Sequence, residues 1–150
     1  MISSALPDLD VVGMALGVPY ASPFGHRGFS HSIVFAVVLG WLAVEILFPA
    51  VKRFFRDWWV LGFCFVLATA SHEFLDAFTN GGLGVDFFWP FDNTRYFFPW
   101  RPIAVSPLGV SRFFQGRALG IILNELLWVW LPVSASYLVF KVVRKTMDKR

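Results

Sequence analysis

The sequence predicts an all-α, polytopic membrane protein: about three transmembrane helices, with a long aromatic-rich interfacial loop between the second and third. Three observations support this. Of the 150 residues 57% are hydrophobic, and the mean hydropathy of +0.62 is far above that of soluble domains. Three stretches approach the roughly 20 apolar residues that a bilayer core demands. Most Lys and Arg residues flank those stretches, where membrane topology places them. A chain of this length forms one domain, residues 1–150.

The first span covers residues 33–50 and ends at Pro49, before Lys52, Arg53 and Arg56. The second covers residues 58–78, with Trp58 and Trp59 as interfacial anchors, and the third covers residues 119–140. Lys141, Arg144 and Lys145 follow the third. The basic loop between spans one and two and the basic tail must share a side if there are three spans, and the positive-inside rule makes it cytoplasmic. The C-terminus is then cytoplasmic, and the far ends of spans one and two face the non-cytoplasmic compartment. Residues 80–118 connect spans two and three, with prolines at 90, 99 and 102 excluding a continuous helix. Rings interleaved with Arg95 and Arg101 suit the headgroup region, either as a lid or as a loop packed on the helix ends. The first ten residues lack the basic start and apolar core of a signal peptide.

The net charge of +3 and pI near 9.4 do not indicate nucleic acid, because the cations flank apolar runs and form no basic surface. A lone cysteine, Cys64, excludes a disulfide framework or Cys-based zinc site and reads as a buried packing residue. Glu45 and Glu125 fall inside spans one and three, with Arg or Asn124 as partners across the bundle. Three helices bury little, which makes a homo-oligomer plausible.

All three histidines lie in polar clusters beside the spans. His26 and His31 lie in Gly25-His26-Arg27-Gly28-Phe29-Ser30-His31-Ser32, and His72 in Ser71-His72-Glu73-Phe74-Leu75-Asp76. Asp8 and Asp10 form a third group, Leu6-Pro7-Asp8-Leu9-Asp10. Ionisable groups beside a bilayer are costly to desolvate, so they mark function by default. His72 and Asp76, four apart on a helix, share a face, while Glu73 points about a hundred degrees away toward a second shell or another helix. Gly28 permits a turn that lets His26 and His31 converge. An extended segment would aim Asp8 and Asp10 to one side. The topology carries all of these groups to one compartment. Three histidines with Asp8, Asp10 and Asp76 give six ligands, enough for one or two ions. Mixed nitrogen and oxygen ligation favours zinc, manganese or iron, and such ions activate water for hydrolysis. Arg27, with Arg95 or Arg101, would bind a substrate anion.

At these residues the sequence resembles the YdjM-like, LexA-regulated family of bacterial inner-membrane proteins described as metal-dependent hydrolases. The matching elements are the Pro7-Asp8-Leu9-Asp10, His26 to Ser32 and His72 to Thr79 motifs, with Trp89-Pro90-Phe91 beyond. The resemblance implies an inner-membrane location and Asp8, Asp10, His26, His31, His72 and Asp76 as metal or catalytic positions. It also implies phospholipase-like or other lipid-phosphoester activity. Members carry a further apolar helix and an early histidine ahead of the Pro-Asp-x-Asp motif, so either the start lies further upstream or this copy has lost a helix and a ligand. The expectation is a membrane-bound hydrolase with metal ligands Asp8, His26, His31, His72 and Asp76, and with Asp10 and Arg27 as catalytic groups. Its substrate would be a membrane lipid or amphiphile. The alternative is a non-enzymatic membrane metal-binding, transport-associated or structural subunit.

Overall fold

A computed structural model of the protein describes residues 2–106 and 118–147. Arg112, Arg117, Lys149 and Arg150 lie outside the described residues. The chain divides after Arg101 into two compact units. The regular elements of the described residues are all helices, with one isolated β-bridge, Val85 to Tyr96.

The first unit opens with α1 (Ile2–Ala5), a 3-10 turn (Pro7–Asp10) and α2 (Val11–Ala15). The extended reading of Asp8 and Asp10 is therefore corrected. Pro7 at the first position favours a helical start. Because 3-10 geometry advances about 120° per residue, the two carboxylates point in different directions. From Pro19 onward the chain makes successive three-residue turns, with Ser22, Gly25, Gly28 and His31 each donating a backbone N–H to the carbonyl three residues earlier. Gly28 is required for space: a Cβ there would lie 2.1 Å from the Pro23 carbonyl oxygen. A second 3-10 turn, Phe29–His31, delivers His31 to the start of α3 (Ile33–Leu47). Ser32 caps that helix, accepting from Phe35 N at 3.1 Å.

The helix α4 (Arg56–Ala77) has 22 residues, enough to cross a bilayer, and packs along the shorter, 15-residue α3. Their contact relies on two small residues: Gly40 faces Val66, and Gly62 faces the Trp41 ring. Trp41 also stacks on Trp58 with centroids 4.3 Å apart. Cys64 lies on the exposed face of α4, which corrects the expectation that it packs inside. Glu45 pairs with Arg53 and accepts from Trp58 Nε1 at 2.9 Å, near the basic loop.

Beyond α4 the chain folds back onto the helix ends. Ile33 N donates to Phe87 O and Phe98 N to Ala77 O, both at 3.0 Å. Val85 and Tyr96 exchange two backbone bonds of 2.9 Å, and Phe98 stacks on Phe78 with centroids 4.3 Å apart. This segment braces the helix ends and leaves Asp8 half exposed.

The second unit contains α5 (Ala118–Met147), a 30-residue apolar helix. Its α-helical parts, Ala118–Glu125 and Leu131–Met147, are joined by a π turn at Leu126–Trp130. Asn124 accepts from Ala104 N at 2.7 Å and donates to Pro102 O at 3.0 Å, which ties the preceding strand of chain to the helix.

Candidate metal centre

Three elements converge at the His72 end of α4. The Pro7–Asp10 turn brings Asp8, the Phe29–His31 turn brings His31, and α4 brings His72 and Asp76. One ligand atom from each of these four residues lies within 4.8 Å of the others. His31 Nε2 is 3.4 Å from both Asp8 Oδ1 and Asp76 Oδ2, while His72 Nε2 is 3.2 Å and 3.8 Å from the same two oxygens. His31 Nε2 and Asp76 Oδ2 are buried and have no hydrogen-bond partner among the described residues. Buried polar atoms are normally paired, so two such atoms aimed at a common point fit a cation between them. The donor set, two imidazoles and two carboxylates, suits zinc, manganese or iron.

The expected sixfold convergence occurs instead as two groups that share His31. The second comprises Asp10, His26 and His31. Asp10 Oδ1 is 2.6 Å from His26 Nδ1, and its Oδ2 accepts from Ser30 Oγ at 2.7 Å and Arg27 N at 3.1 Å. Burial tends to raise the Asp10 pKa, but hydrogen bonds from His26, His31 and Ser30 outweigh it and hold the carboxyl well below its usual range. Asp8 is likewise held low: burial opposes, and the neighbouring imidazoles of His31 and His72 prevail. His31 shows the converse. Burial disfavours its charged form, yet Asp10, Asp76 and Asp8 together push its pKa up to about 10. A site that attracts a proton this strongly is one that attracts a cation.

The three arginines expected to bind substrate sit differently. Arg27 is 4% exposed, with a positive φ of 62°. Its terminal nitrogens donate to Asp76 Oδ1 (2.9 Å), Thr79 Oγ1 (2.9 Å) and Gly81 O (3.0 Å). Arg95 donates to the backbone carbonyls of His26, Tyr20 and Ser22, pinning the chain that carries the histidines. Arg101 is exposed, its guanidinium 4.6 Å above the Phe97 ring.

Ser30 is not singled out by the sequence, whereas Glu73 is assigned there to a second shell or another helix. Ser30, 3% exposed, links Asp10 to His31, and a serine between two histidines gives no signal of that role. Glu73 is fully buried on the stripe with Thr69 and Ala77, and both carboxylate oxygens lack a partner among the described residues.

The family model for the YdjM inner membrane protein matches residues 1–147. The inner membrane protein YbcI of Escherichia coli (strain K12) is 42% identical over 133 residues, which cover 88% of this chain and 75% of that relative. No solved structure matches.

Proposed function

The chain belongs to the YdjM inner membrane protein family, and from that premise we propose that it is a membrane-bound, metal-dependent hydrolase acting on a phosphoester or similar bond of a lipid-like substrate. The observation that carries the reading is the pair of buried, unpartnered atoms, His31 Nε2 and Asp76 Oδ2, turned toward His72 and Asp8. A zinc, manganese or iron ion bound by these four residues would supply the Lewis acidity that activates water toward an ester. His31 and Asp76 form the floor of the centre, with side chains 0% and 15% exposed. Asp8 and His72, at 49% and 21%, form its accessible side. Leu9, Val12 and Leu16, all exposed on the segment that carries Asp8, suit an amphiphilic substrate better than a soluble one. Of the three candidate anion-binding arginines, the exposed Arg101 is best placed to meet a headgroup. The basic loop containing Lys52, Arg53 and Arg56 lies at the opposite end of α4, so under the positive-inside rule the proposed centre would face the non-cytoplasmic side.

A second reading, a membrane metal-binding or transport-associated subunit, draws on Thr69 and Glu73, which continue buried polar groups along α4 from the centre toward the membrane interior. One experiment separates the two. Protein purified in detergent is assayed for bound metal and for hydrolysis of a panel of lipid phosphoesters, alongside His72→Ala. The hydrolase reading expects near-stoichiometric metal and chelator-sensitive turnover, both lost in the variant. Metal without turnover favours the second reading. Equal metal content in wild type and His72→Ala removes the basis of both.

A further inference from the structure

The orientation of His31 is set from the side of its ring that faces away from the four-ligand group. Nδ1 is 3.1 Å from Ser30 Oγ and 3.2 Å from Asp10 Oδ2. Ser30 donates its hydroxyl hydrogen to Asp10 at 2.7 Å, so its oxygen can only accept from Nδ1. Nδ1 therefore carries a hydrogen, and Nε2 is the nitrogen available to Asp8, His72 and Asp76 or to an ion among them. Imidazole ligates metals through its unprotonated nitrogen, and the hydrogen bond on the other nitrogen decides which one that is.

Asp10 has little left to offer an ion. Oδ1 is engaged by His26, and Oδ2 by Ser30 and the Arg27 N–H, with His31 Nδ1 at 3.2 Å as a fourth neighbour. Each carboxylate oxygen has about two acceptor directions, so Oδ2 is saturated by Ser30, the Arg27 N–H and His31 Nδ1, while Oδ1 is held against the His26 ring. A second ion among Asp10, His26 and His31 would have to open the 2.6 Å Asp10–His26 contact and displace Ser30. It would also require His31 to ligate through both nitrogens at once.

Building on the metal-centre reading above, we propose that Ser30 and Asp10 are positioning residues that present His31 Nε2, and that the centre takes a single divalent ion with Asp10 and His26 outside its coordination sphere. Arg27 plays the matching part for Asp76, holding Oδ1 at 2.9 Å so that Oδ2 faces the ion. The proximity of six candidate ligands thus resolves into four that bind and two that orient. Outer partners of this kind tune affinity and ligand-field geometry without changing stoichiometry.

The test is titration of ion-free protein in detergent with cobalt(II), read by visible absorption and by metal content. Wild type is expected to bind one cobalt per chain. Two cobalt ions per chain would overturn the inference while leaving the metal centre standing, and none would remove both. Ser30→Ala should still bind one cobalt, about 10- to 100-fold more weakly and with altered absorption bands, and Ser30→Thr should restore both. Wild-type affinity and bands in Ser30→Ala would overturn the positioning role. If Ser30→Ala does not fold, His26→Gln serves in its place: one cobalt retained supports the proposal, and loss of that cobalt, which would make His26 a ligand, overturns it.

Discussion

At the scale of single residues, the proposed centre would set a proton and a cation in competition for His31. In ion-free protein the carboxylates of Asp10, Asp76 and Asp8 raise the His31 pKa to about 10 from the usual 6.5, so its charged form is stabilised by folding. That contribution is fully present below about pH 6.5 and is lost as pH rises toward 10. Asp8 and Asp10, held below the usual carboxylate range, contribute above about pH 4 and lose that contribution as pH falls. Thermal unfolding of the ion-free protein should therefore give its highest Tm between about pH 4 and 6.5, with a decline on the alkaline side. An added divalent ion must displace the His31 proton, so its stabilising effect should be larger at pH 8 than at pH 6. A Tm that keeps rising from pH 6 to pH 10 without metal would contradict this picture. The residue types of the site were legible in the sequence, because histidines and carboxylates beside apolar spans are conspicuous. Their grouping was not. Five-residue spacing leaves open whether His26 and His31 meet, and the answer depends on a positive φ at Arg27 and a 3-10 turn at Phe29–His31. Neither leaves a mark in hydropathy.

At the scale of elements, the α3–α4 contact holds His31 and His72 in register, with ring centroids 5.3 Å apart. Gly62 is the tightest point of that contact, since a Cβ there would fall 1.6 Å from a Trp41 ring atom. Gly62→Val should force Trp41 off its stack with Trp58 and destabilise the protein by about 1–3 kcal/mol, the usual cost of overpacking. Leu67→Ala, on the exposed face of the same helix, is the control and should change stability in detergent little. Equal effects of the two substitutions would mean that the helices do not meet at Gly62. The three apolar helices were legible from hydropathy, though their ends shifted for local reasons. Pro49 cannot donate in a helix, so α3 stops at Leu47, short of residue 50. The last helix runs to Met147, beyond residue 140, because Lys141, Arg144 and Lys145 are good helix formers and favour a helix C-terminus. The 3-10 turn at Pro7–Asp10 escaped the pattern because four residues carry no periodicity.

At the scale of the whole molecule, the first unit has opposite chemistry at its two ends. Arg56 and Asp76 are twenty residues apart on one helix, which corresponds to about 30 Å, the thickness of a bilayer core. Lys52, Arg53 and Arg56 gather at the first end, and the histidines and aspartates at the other. Moving both sets to the same side would drag a charged cluster through hydrocarbon, at several kcal/mol for each unpaired group. The arrangement predicts that reporters fused after Ala50 and after Thr79 report opposite compartments. A cytoplasm-active fluorescent protein should light up only after Ala50, and an export-dependent phosphatase should be active only after Thr79. A membrane-impermeant chelator should accordingly strip metal from right-side-out vesicles faster than from inverted ones. If both fusions report the same side, α4 does not cross the bilayer. A centre built on α4 would then lie in the cytoplasm or along the membrane surface, and an outer-leaflet substrate could no longer reach Asp8.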